Sequence, residues 1–271
     1  MPIRSTFLIS IVLLHSHWAV AQLTDSSGYS MISFDTLASR LPANLLGHNA
    51  KELYWSMEAK IGRSYKDEFE TTEENKKRTR DEFSKPIVGM LDIRSVYAFR
   101  IYPLRTTYDA DNGILTIRCP LSQTSSKRIP YFKSVSWMSE WKDKGSYIGT
   151  NAFGATIEVS SSTTIGYDIA LANFSDFPLE AEEQSSLFQW FYQIKLTLPP
   201  AEARKAKLSV AALVIGDMVQ PFTSSDFTHL PATFDSPLQL TLITFNFHIN
   251  VFQIWFFDVE TGTILATIRR K

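Results

Sequence analysis

Hydrophobic and polar positions follow two different periods along this chain, and the change falls near residue 90. Over residues 35–90 the spacing is helical. In "NAKELYWSMEAKIG", Leu53, Met57 and Ile61 share one face, Asn49 stands where an N-cap belongs, and Gly62 can end the helix. Asp35 before "TLASRL" predicts an earlier helical start. The charged run "RSYKDEFETTEENKKRTRDEFSKP" holds no apolar residue between Phe69 and Phe83, so it predicts a surface helix closed by Pro86.

From residue 91 to 271 the period is mostly two. "SVYAFRIYPLRTTYDADNGILTIRCPL" reads as two strands around a turn at Asn112-Gly113, a dipeptide that tolerates positive φ. "GATIEVSSSTTIGYDIALANF" is a further β-rich stretch. A strand over 188–198 stops at Pro199-Pro200, a short helix "AEARKAK" follows, and "LSVAALVIGDM" returns to strand. The stretch 122–153 reads as an irregular loop in which Trp137, Met138 and Trp141 fit one helical turn, and 221–237 is loop by composition.

The segment "TLITFNFHINVFQIWFFDVETG" carries the strongest alternation. Phe245, Phe247, Ile249 and Val251 fall on one face, with Thr244, Asn246, His248 and Asn250 on the other. The phase then reverses. This predicts either a turn or bulge near Asn250-Val251, or a second part buried on both faces. "DVETGT" predicts a hairpin with Gly262 at positive φ. Helices first and strands later give an α+β class, with N-terminal helices packed on a mainly antiparallel β-sheet. The expected organisation is a leader at 1–21, a flexible lead-in at 22–34, a helical segment at 35–90 and a β-rich segment at 91–271 forming one domain with the helices.

The leader expectation rests on "MPIRSTFLISIVLLHSHWAVAQ". Arg4 precedes an apolar run, and Ala19-Val20-Ala21 makes a small-x-small cleavage site. The run is shorter than the roughly 20 residues a spanning helix needs, so the expectation is export to the periplasm or beyond without stable membrane insertion. Removing residues 1–21 takes away Arg4 and no acidic residue, which carries the formal charge from −1 to −2. No basic patch stands out, which disfavours nucleic acid as a partner. A single cysteine, Cys119, excludes an intrachain disulfide, and its parity with Leu115 and Ile117 predicts a buried thiol.

Candidate chemistry is sparse. His48, His229 and His248 follow the leader, far apart and outside any HExxH or Cys/His zinc spacing. No nucleophile elbow or glycine-rich phosphate loop is present, and no motif requires a cofactor or metal. Asp109 and Asp111 flank the Asn112-Gly113 turn without the later ligands of a calcium loop. Two readings follow. The first is a non-catalytic binding module whose candidate binding residues are the polar row Asn246, His248 and Asn250, with an unidentified protein or envelope component as partner. The second is a hydrolase assembled from scattered residues, for instance His229 with Asp226 and a serine.

"VYAFRIYPLRTTYDADNGILTIRCPL", "ALANFSDFPLEAEEQ", "LPPAEARKAKLSVAALVIGDMV" and "FFDVETGTILATI", taken in order, resemble a set of uncharacterised bacterial secreted or periplasmic domains. The resemblance covers roughly residues 50–268 and rests on packing and turn motifs. It implies location and fold more than activity, and the long stretch at 122–153 departs from it.

Overall fold

Three helices and a mixed ten-stranded sheet make up the fold in the computed structural model, which describes residues 24–102, 104–124, 132–150, 153–178, 180–184 and 187–270. The predicted leader lies outside the described residues. The helices are α1 (Ala50–Ser64), α2 (Thr72–Ser84) and α3 (Pro200–Ser209). The strands are β1 (Val96–Ile101), β2 (Arg105–Asp109), β3 (Ile114–Thr124), β4 (Phe132–Thr150) and β5 (Thr156–Leu171). They continue as β6 (Glu180–Gln184), β7 (Leu187–Thr197), β8 (Val210–Leu230), β9 (Leu238–Asp258) and β10 (Ile264–Arg269). The order across the sheet is β1-β8-β9-β5-β4-β3-β7-β6, with β10 beside β9 and β2 beside β3. The β5–β9 pair is parallel, which makes the sheet mixed; the other described pairs are antiparallel.

Strand β9 organises the sheet. One edge pairs with β8, while the other pairs with β5 from Leu238 to Ile249 and then with β10 from Gln253 to Phe257. Between these partners the backbone of Val251 would be left open. Asn173 closes the gap: its Nδ2 donates to the Val251 carbonyl at 2.9 Å, and its Oδ1 accepts from the Val251 N–H at 2.8 Å. The predicted phase change is a bulge, since Gly216 faces Val251 and Ile215 faces Gln253, leaving Phe252 unmatched. Phe247, Ile249, Val251, Ile254 and Phe256 therefore all enter the main core despite their mixed parity. Trp255 and Phe257 enter a second core under Leu41 and Leu45. Gly262 turns the chain into β10 with φ +71°.

Helix α1 starts as its sequence predicts, with Asn49 accepting from the Glu52 N–H at 3.1 Å, and runs through Gly62 to end at Ser64. Leu53 and Met57 join the main core, and the helix lies across the four longest strands. Lys51 bonds Glu140 on β4 at 2.5 Å, and Trp55 donates to Tyr167 on β5 at 3.4 Å. Tyr54 and Trp55 pack on Phe245 of β9 with centroids at 5.0 and 4.9 Å, and Thr223 on β8 bonds Glu58. Helix α2 fully buries no residue, in keeping with a sequence whose one apolar side chain, Phe83, is partly buried against the main core, and its capping box joins Thr71 to Glu74. Lys60 reaches from α1 to the Glu82 carbonyl near the end of α2 at 2.7 Å.

The stretch read as two strands around Asn112-Gly113 makes three, since β1 pairs with β8 and only β2 and β3 form the hairpin, and three other expectations fail for physical reasons. Asp35 accepts from Leu37 two residues on at 2.9 Å, which makes a turn instead of a helix. The stretch read as an irregular loop at 122–153 contains all of β4, so Trp137, Met138 and Trp141 lie on an extended strand. Residues 141–148 are exposed on both faces, which removes the alternation that would have marked a strand. Likewise β8 continues to Leu230 through the segment read as loop. A register shift between Met218 and Thr223, carrying a cis Gln220–Pro221 bond, hides the continuity.

Candidate functional site

The face of the sheet away from α1 carries the polar row. Register places Asn246 between Asp168 on β5 and Ser224 on β8, while His248 stands beside Ala170. All four polar residues are enclosed: Asn246 is 0% exposed, His248 3%, Asp168 7% and Ser224 8%. Ser224 Oγ and His248 Nε2 are hydrogen-bonded at 2.7 Å, and Phe132 packs its ring edge-on to the imidazole at 4.8 Å. Asn246 Nδ2 donates to Asp226 at 3.2 Å, leaving its Oδ1 buried with no hydrogen-bond partner. Ser134 donates to Asp168 at 2.8 Å.

Burial sets the electrostatics. It pushes the His248 imidazole down to about 4, because no solvent remains to stabilise the cation. Burial also pushes the Asp168 carboxyl up to about 6. The Ser134 and Ser136 hydroxyls oppose that rise, and the charge of Asp226 adds to it. Near neutral pH the pair is therefore an uncharged imidazole and a largely ionised, partly stabilised carboxylate.

Of the three predicted residues, Asn246 and His248 come together with Ser224, Asp226, Asp168 and Ser134. Asn250 stands one step beyond, opposite Asp217 in register. The scattered-residue grouping does not assemble, because Asp226 and His229 lie three residues apart on β8 and so face opposite sides of the sheet. His229 is exposed, with Nδ1 at 3.3 Å from Thr241 Oγ1. Cys119 is buried in the main core and its thiol is pushed up to about 12. Asp109 binds the backbone and side chain of Asn112 within the turn. His48 is fixed between the Ile32 carbonyl and the backbone of Ala98. Among the described residues no group of three His, Cys, Asp or Glu is placed to hold a metal ion.

Beyond α1 the four longest strands run on together: β4 past Trp141, β5 before Ile165, β8 past Ser225 and β9 before Thr244. From Ile165 back to Thr156 this is roughly 30 Å of strand at about 3.3 Å per residue. Of the fifteen large hydrophobic side chains exposed among the described residues, eight lie on this extension. They are shared between the two faces of the sheet and its end turns, with Trp141 and Leu238 on the face away from α1 and Tyr147 and Phe227 on the other. Phe153 at the β4–β5 turn is 96% exposed, and Phe234 occupies the neighbouring β8–β9 turn. On the side away from α1 a groove of about 670 Å3 runs between Trp141 on β4 and Leu238 and Leu240 on β9.

No family model, curated protein or solved structure matches this chain. No helix among the described residues is long and apolar enough to cross a membrane.

Proposed function

We propose that the protein is an exported, non-catalytic binding module of the bacterial periplasm or cell envelope. Its ligand engages the outer part of the four long strands, and its partner is a protein or an envelope component. The observation that carries this reading is the exposed extension of β4, β5, β8 and β9, where more than half of the exposed large hydrophobic residues gather. Export is supported by the Arg4, apolar-run and Ala19-Val20-Ala21 pattern. The accompanying architecture is α+β, with the helices of the first half packed on a mainly antiparallel sheet and no stable insertion in the bilayer after cleavage.

The hydrogen-bonded Ser224 and His248 favour a second reading, a hydrolase. Against it stands the burial of the imidazole. A base pushed from 6.5 to about 4 accepts a proton less readily by about 3 kcal/mol. That loss falls on the step in which a serine nucleophile must be deprotonated.

One experiment separates the two readings. The chain is expressed with its leader, and the processed form is sequenced from its N-terminus and incubated with washed cell envelopes. Binding predicts a mature start at Gln22, and retention that is lost in Leu238→Ser/Phe153→Ser but kept in Ser224→Ala. Ester or amide hydrolysis by the wild type that disappears in Ser224→Ala would replace binding with catalysis.

A further inference from the structure

The groove on the outer sheet is lined by side chains of an unusual mixture. Trp141 forms one wall, 65% exposed, and Leu238 and Leu240 form the other. The floor is a row of hydroxyls, Ser160, Ser162 and Thr164, which point to the same face because they alternate along β5. Asp143 and Glu158 supply the charged groups, and among the described residues no lysine, arginine or histidine lines the groove. Glu158 already accepts from Ser146 at 2.6 Å, and Asp143 from the Gly145 N–H at 2.9 Å, so both carboxylates are held in fixed orientations.

We propose that this groove binds an uncharged oligosaccharide, an inference that rests on the binding-module reading and gives its ligand a chemical class. The indole face carries negative charge density and attracts the C–H groups on the apolar side of a pyranose ring. Hydroxyl groups of serine and threonine both donate and accept, which suits ligands rich in hydroxyls. Carboxylates accept hydrogen bonds from sugar hydroxyls more strongly than neutral acceptors do. The two lining carboxylates disfavour anionic ligands, which ranks phosphates, acidic sugars and anionic lipids below neutral ones. A groove open along the face of the sheet also admits a chain longer than the groove, as a polymer requires.

The test is isothermal titration calorimetry of the mature protein with chitotetraose, cellotetraose and, as the anionic control, tetragalacturonate. Trp141→Ala and Trp141→Phe are titrated in parallel, with thermal melts to confirm that these exposed substitutions leave the fold intact. At least one neutral tetrasaccharide should bind, with affinity about tenfold or more weaker in Trp141→Ala and partly retained in Trp141→Phe. Failure of both neutral sugars to bind, equal affinity in Trp141→Ala, or equal binding of tetragalacturonate would overturn the proposal. Flotation with vesicles of phosphatidylcholine and phosphatidylglycerol distinguishes the two levels. Vesicle binding lost in Leu238→Ser, with no sugar bound, would refute the saccharide while leaving the binding-module reading in place.

Discussion

His248 and Asp168 occupy neighbouring strands on one buried face, and their protonation opposes each other's effect on stability. The imidazole is depressed to about 4 in the folded state, against 6.5 as the ordinary value. Between those values the unfolded chain binds the proton and the folded chain does not, so stability is lost as pH falls from 6.5 to 4. Asp168 is raised from 3.8 to about 6. Between those values the folded chain holds the proton, so its contribution is present at low pH and is lost as pH rises through 6. Each displacement corresponds to about 3 kcal/mol. Between pH 4 and 6 the two slopes therefore nearly cancel.

Single variants should expose the hidden terms. Asp168→Asn removes the carboxyl and keeps a polar side chain beside Ser134, so the His248 slope should appear uncompensated. The variant should lose about 3 kcal/mol more than the wild type on acidification from pH 6.5 to 4. His248→Gln should do the reverse and gain a similar amount relative to the wild type over the same interval. Urea unfolding at half-unit pH steps, followed by tryptophan fluorescence, gives both curves, and subtracting the wild type removes the surface carboxylates common to all three. The subtraction is needed because the half-buried Glu70 and Glu82 are held at about 2 by Arg78 and by Lys85 with Arg63 and titrate at the acid end. If the two difference curves are flat, or slope in the same direction, burial is not what controls these groups and the reasoning fails.

Other consequences are simpler. Asn173→Ala uncovers the N–H and carbonyl of Val251, both in the core, at about 3 kcal/mol. In a chain of this size that is a fall of roughly 6–12 °C in melting temperature, measurable by circular dichroism. Because that side-chain amide is engaged by the sheet, the Asn173-Phe174-Ser175 sequon should stay unmodified in a glycosylating host, as intact mass will show. Gly262→Ala would drive a Cβ into the Leu41 carbonyl at a residue with positive φ. It should lower stability by more than 1 kcal/mol, and an unchanged urea midpoint would refute that close approach.

Legibility in the sequence followed burial. Helix α1 was readable because Leu53 and Met57 face a core while Asn49 satisfies the first turn, so packing and capping point to the same start. The hairpin at Gly262 and the bulge in β9 were readable for the same reason: Phe247, Val251 and Phe256 must all reach one interior. Where both faces of a strand meet solvent, as in residues 141–148 of β4, no alternation is imposed and the strand is silent. The site shows the same division. His248 and Asn246 stood out as polar residues in an apolar strand, but Ser224 did not, because Pro221 and the register shift made its surroundings look like loop. A signal was present nonetheless. "TSSDFTHL" and "LQLTLITFN" flank a short polar turn, and pairing them as a hairpin from Leu230 and Leu240 sets Ser224 opposite Asn246. The same pairing puts Asp226 beside the asparagine and His229 on the other face. The proximity of Asp226 and His229 in sequence is thus what parity forbids in space, and Ser224, on the same strand as both, meets His248 across on β9 instead of His229.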